Sequence, residues 1–370
     1  MGNNLCDRKD VRFFLYDVLR VQELCRPERH RDHSPETFTV TIDTAEKPVE
    51  NNPTPAREAE DQAGCITENG KVRVPPVYYE PYRKIAQGST AYLHALNSAR
   101  DSIMVNAEVR RNLLWMKCYT EGVRALILYA IACMERIHAA DDEHEKGQWN
   151  DILEFLTPIC KAYGSEKGFE VCVKAIQVFG GYGDCSDCHM EQIARDCKVT
   201  SYKDTNGIQS LELINHKISM KCGRAYREVL SRVKETIGEA LVWNELIPYA
   251  SDLRSYVGML EEITDRIQIM KTNGEDLLVE SWALSYLEIW GDILLGWLFL
   301  WQAFVARERL AETQGSSAGA NEFSSAFYRN KIATAKYYLG TLLPLAAGKF
   351  EAINKNDRVF LEMDDSYFFD

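Results

Sequence analysis

A chain of 370 residues with 55 acidic and 43 basic side chains has a formal net charge of −12. That balance argues against a sequence-independent phosphate-backbone binder, whose affinity comes from clustered Lys and Arg. Eleven cysteines over this length, with no positively charged stretch leading into an apolar one near the start, read as reduced thiols of a cytoplasmic protein, most of them small buried hydrophobes.

Residues 5–25 place Val11, Phe14, Leu15, Val18, Leu19 and Leu24 at helical spacing behind Asp7 and Asp10, two N-cap candidates. From 27 to 69 the chain is polar and interrupted by proline; TFTVTI at 37–42 is locally strand-like, and 50–61 is loop or frayed helix. The run Arg29-His30-Arg31-Asp32-His33 reads as a solvated loop of mixed charge, with metal binding as the alternative. The turn Glu68-Asn69-Gly70 and the break Pro75-Pro76 leave room for a short hairpin at most within 64–79.

From residue 91 the pattern is helical, and the fold class is mainly α. Residues 91–105 and 108–138 form a long apolar-periodic region with Val109, Leu113, Met116, Val123, Leu126, Ile127, Ala130 and Met134 on one face and an acidic stop at 141–145. Helices are expected at 149–163 and 166–179. The most regular spans 211–237, where Leu211, Ile214, Ile218, Cys222, Ala225, Val229 and Val233 recur like the seam of a helix bundle. Two or three further helices follow Gly238, with a Gly/Ser/Ala-rich loop at 314–321. The apolar run ILLGWLFLW at 293–301 is well short of the roughly 20 residues that span a bilayer and reads as a buried helix.

The spacing Cys185-x-x-Cys188-His189 matches a haem c attachment site, but that attachment normally takes place outside the cytoplasm. A closed zinc site needs about four ligands, and no second Cys-x-x-Cys partners this one. A different explanation comes from four stretches in order: RALILYAIAC (124–133), LTPICKAYGSEKGFEV (156–171), QVFGGYG (177–183) and MEQIARDCKVTSYKDTNGIQSLELINHKI (190–218). Together they resemble the C-terminal helical domain of acyl-CoA dehydrogenases. In that family an aromatic-rich loop joins the Gly-Gly turn to a Glu-Gln that opens the next helix. The resemblance therefore puts Cys185, Cys188 and His189 at ordinary loop positions before Glu191-Gln192, and no metal is expected.

The resemblance implies a helical bundle of the acyl-CoA dehydrogenase C-terminal type at 91–237, a short N-terminal helical arm at 1–90 and a C-terminal helical extension at 238–370. Both ends resemble the branch that includes 3-methylmercaptopropionyl-CoA dehydrogenases. The sequence passes from 82–89 directly to 91–100, which already resembles the first bundle helix, so the family's β-domain would be missing. Gln177, Gly180 and Gly181 match the turn at which family members approach the pyrophosphate of FAD, usually that of a neighbouring subunit. Glycine suits this role because it removes the Cβ that would block a phosphate.

The family's run Tyr-Glu-Gly-Thr-Asn, whose glutamate removes an α-proton from the acyl-CoA, appears here as Tyr202-Lys203-Asp204-Thr205-Asn206. Lys203 occupies the base position, and a free lysine with a pKa near 10.4 is a cation at neutral pH. Asp204 is either its ion-pair partner or a displaced base. Thr205 and Asn206 match positions near the cofactor and also suit a helix N-cap. Arg195-Asp196 match a pair that is chiefly structural in the family. The resemblance thus implies an oligomeric, catalytically degenerate subunit that docks on a full-length acyl-CoA dehydrogenase and completes its FAD site. The alternatives are an acyl-CoA dehydrogenase in its own right, with Asp204 as base, and an oligomerisation scaffold that binds no cofactor.

Overall fold

Two of the longest helices open on short polar side chains. Asn106 accepts hydrogen bonds from the N–H groups of Glu108 and Val109 and opens α3, Ala107–Ala139; Asp142 accepts from Glu145 and opens α4, Glu143–Phe179. The acidic stretch at 141–145 therefore begins a helix as well as ending one. The computed structural model describes residues 8–25, 32–34, 36–42, 66–68, 71–73, 92, 95, 106–183, 185, 190–199, 205–315 and 323–369.

Where the pattern predicts helices at 149–163 and 166–179, α4 is a single helix of 37 residues that runs through Pro158. Its apolar face, with Ile152, Phe155, Ile159, Ala162, Val171 and Cys172 buried, stays packed on α3, and that burial outweighs the local cost of the proline. Helix α5, Met190–Val199, also packs on α4.

The seam expected as one helix over 211–237 is two helices, α6 (Asn206–Asn215) and α7 (Arg224–Ala240). Between them Lys221, Cys222 and Gly223 take left-handed conformations, with φ of 49°, 57° and 79°. Leu211 and Cys222, expected in the core, are exposed. The left-handed non-glycine residues cost about 1–2 kcal/mol each, and the break lets Lys221 and Arg224 reach the buried Asp151, with Arg224 Nε 3.0 Å away. Lys271 donates to the carbonyls of Ile214 (3.3 Å) and Asn215 (3.1 Å) and closes the end of α6.

Helices α8 (Ile247–Thr272), α9 (Asp276–Ser281), α10 (Ala283–Gly315), α11 (Ser325–Tyr337) and α12 (Ala346–Lys355) follow, more than the two or three expected. Extra breaks come from Gly274, left-handed at φ 79°, and from Ser324, whose hydroxyl caps α11 at Phe327. The apolar run at 293–301 lies in α10, which is long and apolar enough to cross a membrane, yet 89% of its most apolar window is buried in the bundle. It packs on α3, α4, α6, α7, α8 and α11. Two glycines permit this close approach: a Cβ at Gly291 would lie 2.2 Å from the Tyr163 ring, and one at Gly122 would lie 2.7 Å from Leu295.

The N-terminal arm begins with α1, Arg8–Arg12, and continues as a π-helical turn, Phe13–Val18. Phe14, Val18 and Leu19 are buried as the spacing predicts, and so is Phe13, whose ring sits 5.6–6.3 Å from those of Phe323, Phe327 and Tyr328. Residues 36–42 (α2) are helical rather than extended. Ser34 and Thr37 cap each other reciprocally, the Ser34 N–H donating to Thr37 Oγ1 at 2.9 Å, and this local cap overrides the β-branched composition. The expected hairpin is present as β1 (Ile66–Glu68) and β2 (Lys71–Arg73), antiparallel, with Glu68 opposite Lys71.

Asp10 lies inside α1 rather than at its cap, in a buried ion network. Arg124 donates to it at 2.6 Å; Lys331 donates to both Asp10 and Glu121, the latter at 2.8 Å; and Lys117 pairs with Glu121. Burial alone would raise the Glu121 carboxyl, but Lys117 and Lys331 outweigh it and hold the group at about 2.

Three outcomes follow for stability. Gly291→Ala should lose about 1–3 kcal/mol in urea melts through overpacking. Gly258→Ala, in the middle of α8 with nothing within 4 Å of its would-be Cβ, should gain up to about 1 kcal/mol. Because the folded pKa of Glu121 lies below its ordinary 4.5, its contribution is complete above that pH and fades as pH falls towards about 2. The stability gap between wild type and Glu121→Gln should therefore be widest near neutrality and narrow across that acid window.

Candidate functional site

Helix α4 ends at Phe179, and Gly180 follows with φ 61° and ψ −139°, a conformation that only glycine adopts without strain. Its N–H donates to the carbonyl of Gln177. Residues Gly180–Tyr182 form one 3₁₀ turn, closed by the Gly183 N–H on the Gly180 carbonyl at 2.9 Å. Gln177, Gly180 and Gly181 are all exposed, and a Cβ on either glycine would meet nothing within 4 Å. The turn thus offers bare backbone beside the ring of Tyr182, itself 74% exposed.

Gly183 carries the packing that the sequence reading missed. A Cβ there would lie 2.4 Å from the Ile176 carbonyl oxygen, so this glycine folds the turn back onto α4; the Gly-Gly-Tyr-Gly spacing is the signal that could have found it. Because α4 ends here, the helix dipole presents its negative end, and the last turn has no basic residue. Any affinity for a phosphate therefore rests on the turn's own N–H groups and on the Gln177 amide.

Lys203 and Asp204 lie outside the described residues, as do Cys188, His189 and the stretch 29–31. Cys185 is exposed, and its thiol points at the Gly181 carbonyl at 3.5 Å. Among the described residues no group of three or more His, Cys, Asp or Glu could hold a metal. A hydrogen bond to Cys197, together with burial, pushes the Cys172 thiol well above its usual range, as expected of an inert structural cysteine.

Thr205 occupies the N-cap position of α6, but its side chain makes no capping bond. Asn206 is held from the middle of α4: its carbonyl oxygen accepts from the Ser165 hydroxyl at 3.2 Å, and its amide donates to Glu166 at 2.9 Å. Glu166 also receives Lys198 at 3.2 Å. From Glu166 to Gly180 is 14 residues, or about 21 Å along a helix rising 1.5 Å per residue. The structure therefore keeps Asn206 and the Gln177–Gly181 turn apart rather than gathering them around one pocket. Arg195 pairs with Glu191 at 3.0 Å on its own helix.

Two family models match this chain: "Acyl-CoA dehydrogenase, C-terminal domain" over residues 77–210 and "Acetyl-CoA dehydrogenase C-terminal like" over residues 229–364. The broad-specificity linear acyl-CoA dehydrogenase FadE5 of Mycobacterium tuberculosis is 29% identical over 315 residues, 77% of this chain and 50% of the relative. A butyryl-CoA dehydrogenase of Syntrophomonas wolfei is 29% identical over 256 residues, 69% of this chain and 41% of the relative. The 3-methylmercaptopropionyl-CoA dehydrogenase of Ruegeria pomeroyi is 26% identical over 325 residues, 80% and 53%. The chain thus spans about half the length of the curated relatives it matches. A crystal structure of an acyl-CoA dehydrogenase complexed with FAD from Bacillus anthracis shares the fold, with a TM-score of 0.54 at 12% identity over 76% of this chain and 50% of that one.

Gly183 and Gly181 should respond differently to a methyl group. Gly183→Ala should lower thermal stability by about 1–3 kcal/mol, whereas Gly181→Ala should leave the melting curve within about 0.5 kcal/mol of wild type.

Proposed function

The chain belongs to the acyl-CoA dehydrogenase family through its helical C-terminal domains, and from that premise we propose that it is a non-catalytic subunit whose Gln177–Gly181 turn completes the FAD site of a full-length acyl-CoA dehydrogenase. One observation carries this reading: the turn is exposed, unobstructed by any Cβ, and about 21 Å along α4 from the anchorage of Asn206. That exposure and separation support a role in a site outside its own chain.

The turn fits one edge of the cofactor. Gly180 and Gly181 leave room for a diphosphate to lie against the main chain, and Gln177 adds an exposed amide. In an acyl-CoA dehydrogenase FAD supplies the hydride acceptor; the residues here bind and orient without moving a proton. Lys203 stands where the family has its base, and a lysine cation cannot take up the α-proton of a thioester. In this reading 1–90 is an arm, 91–237 the bundle that carries the turn and 238–370 an extension that completes its core. The subunit works as an oligomer with its flavin-bearing partner.

The test uses the intact chain mixed with an FAD-loaded full-length acyl-CoA dehydrogenase, with flavin absorbance followed through gel filtration. The expected result is a flavin-bearing complex with wild type and reduced flavin retention with Gly181→Trp, whose helical content should match wild type. Equal retention with Gly181→Trp would point to a cofactor-free scaffold. Oxidation of acyl-CoA by the chain and FAD alone, lost in Asp204→Asn, would make it an enzyme in its own right.

A further inference from the structure

Lys221, Cys222 and Gly223 are the one run of consecutive left-handed residues among those described, and the run interrupts a helical pattern that itself continues. Ile214, Ile218, Ala225, Val229, Val233 and Ile237 are all buried. The gap of seven between Ile218 and Ala225 is the one a single helix shows when Cys222 lies on the same face, at steps of four and three. Between α6 and α7 only Met220, Lys221, Cys222 and Gly223 leave helical dihedrals, and no proline stands between 206 and 240. A change at four residues would therefore make 206–240 one continuous helix.

The broken form is held by side chains that bond to the backbone of the break. Carbonyls that a continuous helix would bond internally are taken by α8: Gln268 donates to Ile218 at 3.1 Å, and Lys271 to Ile214 and Asn215. Arg227 donates to the Cys222 carbonyl at 2.9 Å, and Lys221 pairs with Asp151 of α4. The break is not wedged in place by packing. Ser219, Cys222 and Gly223 line an open cavity of about 500 Å³, with Gln268, Lys271 and Thr272 around it, and the Cys222 side chain is exposed. Strain is thus stored in a short loop that has room to move.

We propose that residues 220–223 are a hinge, and that the chain has a second state in which 206–240 is one helix and two copies exchange the helices on either side of it. In that state α1–α6 of one copy pack on α7–α12 of the other. Short hinge loops under strain favour such exchange. The chain crosses from one set of helices to the other only at this hinge, so the contacts between the sets are kept and now run between chains. Helix α10 of one copy meets α3, α4 and α6 of its partner, and the pairs of Asp10 with Lys331 and Tyr163 with Asp292 re-form in the same way. The two states differ in the hinge alone. Exchange adds helical hydrogen bonds and removes left-handed strain at two hinges; it gives up the pairing of Lys221 with Asp151 and the independence of the two chains. The balance between the states accordingly depends on concentration. Each copy keeps its exposed turn at Gly180, so the exchange is independent of the flavin reading.

Refolding the full chain at low and at high concentration, followed by sedimentation, tests this. Wild type should give a monomer and, in greater proportion at high concentration, a dimer. Gly223→Ala should raise the dimer-to-monomer ratio about tenfold or more, since a Cβ there is strained at φ 79° and would lie 2.7 Å from the Tyr226 ring. Cys222→Gly should lower the ratio about tenfold, because glycine relaxes the left-handed position at φ 57° and weakens the continuous helix. Exchange is identified by reversing the pair between Asp17 of the arm and Arg309 of α10, 2.8 Å apart. Asp17→Arg and Arg309→Asp chains refolded together should form a heterodimer, with one native and one reversed pair; the same chains mixed after folding should not. A wild type that refolds only to monomer would overturn the proposal, as would a ratio unmoved by both hinge variants. A heterodimer that forms on mixing folded chains would show association through surfaces and would overturn it as well.

Discussion

The buried network of Asp10, Lys117, Glu121, Arg124 and Lys331 is the constraint around which the rest of the bundle is arranged. Charges taken out of water are tolerated only when each is paired at good geometry, and here the partners come from positions as far apart as Asp10 and Lys331, separated by 321 residues. The network admits one arrangement of α1, α3 and α11. With α1 pinned by Arg124 and Lys331, Phe13 falls among Phe323, Phe327 and Tyr328, and Asp17 reaches Arg309 of α10 at 2.8 Å.

The second constraint is the closeness of α10 to its neighbours. An apolar helix surrounded on all sides has to be approached at short range if no cavity is to remain, and Gly122 and Gly291 provide that range by omitting a side chain where Leu295 and Tyr163 would otherwise collide with it. The Tyr163 hydroxyl then donates to Asp292 at 2.6 Å, and Lys349 donates to the other oxygen of Asp292 at 2.7 Å. A carboxylate inside the apolar helix is thereby satisfied, and the same contacts fix α4 and α12 against it. The length of α4, set by this packing rather than by any break at Pro158, determines how far the Gly-Gly turn stands from Asn206.

What the sequence made legible was local. Apolar residues at helical spacing announce that α3, α4 and α7 exist, and the glycines at 180 and 181 announce a turn, because both signals depend on neighbours within a few positions. The break at 216–223 was hidden because Ile214, Ile218, Ala225 and Val229 remain buried on either side of it; its cause, Asp151, lies 70 residues before Lys221. TFTVTI has strand composition, and the capping pair that makes it helical begins outside it, at Ser34. Asp10 reads as a helix cap for the same reason: an ion pair across the length of the chain leaves no mark on its flanking sequence. At the candidate site the turn was legible, whereas Gly183's contact with Ile176 and the hold of Ser165 and Glu166 on Asn206 were not, since each depends on how α4 is met by the chain that returns to it.

The geometry of the turn bears on what the proposed non-catalytic subunit would contribute. Bare backbone at the negative end of a helix, with one amide side chain beside it, offers hydrogen-bond donors but little enclosure, and enclosure is what excludes water and strengthens electrostatic contacts. Alone, such an edge binds weakly. Set against a cofactor already held by another chain, it adds donors at small further cost in entropy, since the turn is preorganised by Gly180 and Gly183. None of these proposed contacts involves proton transfer, so a lysine at the position of the family's glutamate would leave them intact. In the proposed function a cofactor edge at Gln177–Gly181 and a lysine at the family's base position are therefore compatible within one subunit.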